Sequence, residues 1–135
     1  MDAATDGVWL NKAKQNDAVI LCFGVNDIGR GRSAEQVIAD LNTAVEKLTE
    51  AGCRVLLQTV PPFDYTPENR EKWEAINNAI RQELAQKVDA VFDVVPTLGQ
   101  SAEEPHRVKY GGHPNEEGSR AWADALFPVL QEFIN

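Results

Sequence analysis

Hydrophobic and polar positions along the chain fall into two alternating patterns. Three segments are continuous apolar runs: Asp17-Ala18-Val19-Ile20-Leu21-Cys22-Phe23, Arg54-Val55-Leu56-Leu57-Gln58-Thr59-Val60 and Asp89-Ala90-Val91-Phe92-Asp93-Val94-Val95. Short apolar runs bounded by turn residues suit strands buried on both faces of a parallel sheet. Gly24, Pro61-Pro62 and Pro96 stop them. Between the runs the apolar residues recur at helical spacing. Val37, Ile38, Leu41, Ala44, Val45 and Leu48 form one stripe over residues 33–51. Ser33 and Gln36 make an S-x-x-Q capping box at its start, and Gly52 supplies a left-handed cap at its end. Thr66-Pro67 opens a second helix, with Trp73, Ile76, Ile80 and Leu84 as its stripe. Asn115 caps a last helix, with Glu116 and Glu117 in its first turn, an apolar face from Trp122 to Phe133, and a bend expected at Pro128. Residues 6–15 read as a short opening helix and residues 97–114 as a polar loop.

The resulting order, α-β-α-β-α-β-α, predicts a parallel sheet with helices on both faces. Three strands make a narrow sheet, since most have about five or six. The first run is as apolar as a central strand, yet only one short helix precedes it. An apolar strand with an open edge invites pairing with another chain. The expected neighbour is a second copy in a homodimer or a complementing N-terminal segment.

Composition narrows the partners. The 135 residues fit a single domain spanning 1–135, long enough to bury a core. Hydrophobic residues are 43% and charged residues 25%, ordinary for a folded globular protein. The net charge of -8 argues against a nucleic-acid partner, which needs clustered Lys and Arg, and against anionic membrane surfaces. No run reaches the length of a membrane span, and Met1-Asp2-Ala3-Ala4-Thr5-Asp6 has neither the basic region nor the apolar core of a signal peptide. A cytoplasmic location is the expectation, unless a signal peptide lies upstream of a fragment. Cys22 and Cys53 read as small buried hydrophobes. With His106 and His113 at unrelated spacings they make no zinc site, so neither metal nor cofactor is expected.

Sites on such sheets lie beyond the carboxyl ends of the strands. Two residues there carry chemistry. Asn26, in Gly24-Val25-Asn26-Asp27, could aim its side-chain NH2 at a developing oxyanion, an interaction worth about 3–4 kcal/mol in a transition state. As a turn of Gly, Asn and Asp the same segment has a purely structural reading. His113, in Gly111-Gly112-His113-Pro114-Asn115, is placed for proton transfer by a group whose free pKa lies near neutrality. Its structural reading is a solvated loop histidine beside a helix cap. His106 reads as a surface residue. Arg30 and Arg32 read as solvated.

Taken together, G-x-N-D after an apolar strand and H-P-N opening the final helix resemble the SGNH or GDSL-type hydrolases. The resemblance extends to Gly29-Arg30-Gly31-Arg32-Ser33, to Leu57-Gln58-Thr59-Val60-Pro61-Pro62 and to Asn115-Glu116-Glu117-Gly118, and so covers nearly the whole chain. It implies a flavodoxin-like αβα sandwich with a parallel sheet, truncated to three strands by loss of the N-terminal two. It implies a carboxyl-ester hydrolase acting on a small-molecule or carbohydrate ester by serine acyl transfer. Asn26 would belong to the oxyanion hole and His113 would be the general base.

Two departures follow from the comparison. The family's serine and glycine blocks precede the strand ending at Gly24, and none of Ser33, Ser101 and Ser119 stands in a Gly-Asp-Ser setting. By itself the chain is therefore expected to be inactive. Tyr110 stands where the family usually has an aspartate three residues before the histidine. A neutral phenol cannot stabilise an imidazolium as a carboxylate does. Glu103, Glu104 and Asp64 are other carboxylates, none singled out by spacing. Both departures also fit a non-catalytic α/β module that associates through its first strand.

Overall fold

The computed structural model describes Gln15 and residues 17–99, 108–109 and 113–135. Strand β1 (Ala18–Leu21) leads through the short helix α1 (Val25–Gly29) to α2 (Ala34–Glu50). Strand β2 (Arg54–Gln58) precedes α3 (Pro67–Arg81) and a 3-10 turn at Leu84–Gln86. Strand β3 (Ala90–Phe92), the short helix α4 (Val95–Leu98), strands β4 (Val108–Lys109) and β5 (His113–Pro114), and helix α5 (Glu116–Ile134) complete the order. The opening helix expected over residues 6–15 lies mostly outside the described residues.

The expected parallel α/β sheet is present, in the order β1-β2-β3. Val19 pairs with Val55, and Leu57 with Val91, all parallel. Val55 and Leu57 face α2 and α3, joining Leu41, Val45, Leu48, Ile76 and Ile80 in the larger core. Leu56, one residue out of phase, faces the other way and packs with Phe92, Leu98 and Phe133 beneath α5. This alternation makes three layers, because successive strand side chains point to opposite faces.

Local signals account for the element ends. Ser33 and Gln36 form the predicted capping box, and Thr66 Oγ1 accepts from the Asn69 amide. Gly52, at φ +82°, lets Cys53 N–H reach Leu48 O and Gly52 N–H reach Thr49 O, the paired bonds of a Schellman stop. At the far end of β2, Arg54 donates to the last carbonyls of α5 (2.9 Å to Phe133 O) and its guanidinium sits 5.6 Å from the Phe133 ring. A cation there also meets the negative end of the helix.

Three expectations are corrected. The third strand ends at Phe92 rather than at Pro96, because Val94 is already in the αR region and Pro96 sits in the first turn of α4, where its missing N–H costs nothing. The segment read as one polar loop contains the end of α4 and the antiparallel β4–β5 pair, in which the backbone of Lys109 is in register with His113. Strand β1 is not buried on both faces. Ala18, Ile20 and Cys22 are exposed, Ile20 by 42%, because α5 covers β2 and β3 but not the corresponding face of β1. Cys22 is therefore no core hydrophobe, whereas Cys53 is buried; neither is in a disulfide.

Candidate active site

Three strand ends meet at the carboxyl rim of the sheet, and the backbone dictates which residues stand there. Gly24 follows β1 with φ +134°, and a Cβ at that position would lie 2.8 Å from Val60 Cγ2. Only glycine tolerates both the angle and the approach. The end of β1 is thus packed directly on the end of β2. Helix α1 starts at once, with Ile28 N–H bonded to Gly24 O at 3.0 Å and the Ile28 side chain fully buried.

Asn26 lies in the first turn of α1 and is exposed. Its carbonyl accepts from Arg30 N–H, but its side-chain amide has no hydrogen-bond partner among the described residues. Asp27 beside it lies 3.5 Å from Arg32 Nε, and the same guanidinium pairs closely with Asp40 on α2. Arg32 is therefore a brace for the Asn26 turn and not a freely solvated side chain, which corrects the sequence reading.

The end of β2 is held by α3. Val60 N–H donates to Asn77 Oδ1 at 2.7 Å, and Val60 O accepts from Asn77 Nδ2 at 3.0 Å and from Trp73 Nε1 at 2.7 Å. Asn77 and Trp73 are both buried, so these bonds form away from water. Beyond them Tyr65 OH donates to Pro61 O at 2.9 Å and Tyr65 N–H to Phe63 O at 2.8 Å. Burial pushes the Tyr65 phenol above its ordinary value, and Cys22 is close enough to add to the effect.

The end of β3 carries a second lock. Asp93 accepts from Arg81 (2.8 Å), from Thr59 Oγ1 (3.0 Å) and from the Val95 amide (3.1 Å), while Thr59 Oγ1 accepts from Val94 N–H. Burial alone would raise the Asp93 carboxyl. The bonds from Arg81, Val95 and Thr59 outweigh it and hold the group below the ordinary carboxylate range.

His113 is exposed in β5, just before the Asn115 cap, whose Oδ1 accepts from Gly118 N–H at 2.7 Å. Its imidazole meets the Phe63 ring edge-on, with centroids 5.2 Å apart and planes at 90°. Asn26 and His113 therefore attach to one short segment, Val60 to Phe63: Asn26 through Gly24, His113 through Phe63. Among the described residues no hydrogen bond joins the Asn26 amide to the His113 imidazole. Ser33 is used as a cap, and Ser119 is exposed on α5. Ser101, Glu103, Glu104, His106 and Tyr110 lie outside the described residues. Asp64 is described and makes no ion pair with His113. No group of three or more His, Cys, Asp or Glu side chains among the described residues could hold a metal ion, and no described helix is long and apolar enough to cross a membrane.

Sequence reasoning did not find Asn77 or Phe63. Asn77 carried a usable signal: it lies four residues from Trp73 along the apolar face of α3, where a polar side chain must find partners. Phe63 carried none, because its importance lies in which loop it meets.

A parallel α/β layer with polar groups gathered at its carboxyl rim defines the class of α/β proteins whose sites lie at strand ends. The chain belongs to the GDSL-like lipase/acylhydrolase family, whose pattern matches residues 2–121. Among solved structures it resembles a member of the lipolytic protein G-D-S-L family from Veillonella parvula, with TM-score 0.80 and 23% identity over 95% of this chain and 72% of that one. It also resembles a carbohydrate esterase family 3 protein from Talaromyces cellulolyticus (TM-score 0.71, 23% identity, 87% of this chain and 58% of that one). A GDSL-like lipase from Bacteroides thetaiotaomicron is similar as well (TM-score 0.72, 19% identity, 85% and 62%). These likenesses are of fold. The chain spans less than two thirds of the length of the latter two proteins. No curated protein sequence matches it.

Proposed function

We propose that the chain supplies the oxyanion and general-base residues of a carboxyl-ester hydrolase that acts through a serine acyl-enzyme. Asn26 Nδ2 donates to the tetrahedral oxyanion, and His113 takes the proton of the attacking serine and returns it to the leaving alcohol. The observation that carries this reading is the shared Val60–Phe63 segment, to which both residues are tied at the carboxyl rim of a sheet of this family. The unengaged Asn26 amide also supports it: a donor already satisfied by the protein would have to break a bond before meeting an oxyanion.

The substrate class consistent with family and rim is a small-molecule or carbohydrate ester, with no metal or cofactor. The attacking serine is not among those whose surroundings are described: Ser33 caps a helix and Ser119 sits on the outside of α5. Translation of the gene upstream of Met1 tests this first. A Gly-Asp-Ser block within about one βαβ unit supports the hydrolase. Its absence favours the non-catalytic module, for which the specific observation is the edge position of β1 among the described residues and its exposed Ile20. In the serine-bearing product, Asn26→Ala is expected to lower kcat on an acetyl ester about 10²–10³-fold and His113→Ala about 10²–10⁴-fold. Wild-type kcat in both variants would end the proposal.

A further inference from the structure

The imidazole of His113 has a fixed backbone but, among the described residues, no carboxylate beside it. Lys109 pairs across from it, Pro114 limits its φ and ψ, and the Asn115 cap anchors the next turn. These features locate the Cα and do not themselves set the ring's orientation. Among the described residues the aromatic ring that meets the imidazole is Phe63.

Phe63 is itself unusually constrained for a loop residue. It follows Pro61-Pro62, and its carbonyl accepts from Tyr65 N–H across a single residue. Its ring stacks at a tilt on Tyr65 (5.9 Å), and Tyr65 in turn meets Trp73 (5.7 Å). Trp73 is buried in α3 and bonded to Val60 O. A row of rings thus runs from the core to the imidazole, Trp73 to Tyr65 to Phe63 to His113. Edge-on pairs are preferred because the positive edge of one ring meets the negative face of the other.

We infer that Phe63 is a positioning residue for His113, selecting the imidazole orientation that a carboxylate partner would otherwise select. The inference rests on the reading of His113 as the general base. It assigns to Phe63 geometry only: a phenyl ring accepts no proton and carries no charge, so the orientation comes from shape and ring electrostatics. A base whose ring is held in one rotamer presents the same nitrogen to the serine throughout the reaction, which is what positioning contributes to proton transfer.

The test is nuclear magnetic resonance of the full chain carrying His106→Gln, so that one histidine remains. Cross-relaxation between Phe63 and His113 ring protons is expected, together with a ring-current shift of the imidazole protons. Phe63→Leu is expected to abolish both and to average the His113 χ1 couplings, while Phe63→Tyr keeps all three. Absence of the Phe63–His113 cross-peaks in the otherwise unsubstituted chain overturns the inference, whether or not the leucine variant folds. Unchanged imidazole shifts in a folded Phe63→Leu chain do the same. None of these readouts involves turnover, so their failure is separate from the failure of His113 as a base, which the kinetics of His113→Ala decides.

Discussion

At Val60 both backbone polar groups are engaged by buried side chains from α3, whereas among the described residues the Asn26 side-chain amide on the adjoining strand end has no hydrogen-bond partner and His113 meets the Phe63 ring. The two halves of the rim stand side by side and differ in what their polar atoms do. One half spends its hydrogen-bonding capacity on the fold. Asn77 and Trp73 tie α3 to β2, and Arg81, Asp93 and Thr59 tie α3 to β3. In the other half Asp27 and Asn115 also serve the fold, and it is the Asn26 side-chain amide that takes no such bond among the described residues. Gly24 is the joint between them, since its missing side chain lets β1 close onto Val60. A group proposed to bind or react needs spare hydrogen-bonding capacity in a fixed place, and a saturated neighbour supplies the fixity without using that capacity.

Substitutions on the two sides should therefore separate stability from activity. The largest effect is expected at Asn77. Replacing it with Ala removes both bonds to Val60 and leaves a buried N–H unpaired, which should destabilise the chain by about 2–4 kcal/mol. Urea unfolding measures it, and a loss under 1 kcal/mol would mean the α3 clamp is not what holds the rim (an estimate on the same scale).

A smaller effect is expected from acid. Because the folded-state pKa of Asp93 is lowered, its bonds stabilise the protein fully above the unfolded carboxylate value near 3.9. That contribution fades as pH falls from there through the lower folded value. Side-chain exposures of 35% for Arg81 and 33% for Asp93 allow screening, so the term should stay below about 1 kcal/mol. Thermal melts from neutral pH downward should show Asp93→Asn less stable than wild type at neutral pH, with the gap narrowing as pH falls below about 3.9. A gap that persists in acid would point to packing rather than ionisation.

The smallest effects on stability belong to the reactive side. Asn26→Ala and His113→Ala should each change unfolding free energy by less than about 0.5–1 kcal/mol, as exposed positions do. A large loss at either residue would move it from the unsaturated to the saturated half and weaken its assignment to chemistry.

Much of this architecture is legible in the chain. The capping box at Ser33, the Thr66-Pro67 start, the Gly52 stop and the Asn115 cap are local devices, each set by residues within a few positions of one another. The apolar runs announced three parallel strands, and the order of G-x-N-D and H-P-N pointed to the family. The misreading of β1 has a tertiary cause. Strand β1 has the more apolar sequence, yet β2, with Arg54 and Gln58 at its ends, is the buried one. Hydrophobicity reports what a strand could bury, while burial depends on what lies over it. Gln58 tolerates the interior because Trp122 Nε1, far along the chain, donates to it at 2.8 Å.

The sequence by itself determined the longer helices and three parallel strands and singled out two candidate site residues, because caps, stripes and strand-end motifs depend on near neighbours. Only the tertiary structure decided that Gly24 seats on Val60, that Asn77 closes over the same residue, and that Phe63 meets His113. Those contacts join residues from separate elements, and no local spacing rule can express which turn of one element will face which loop of another.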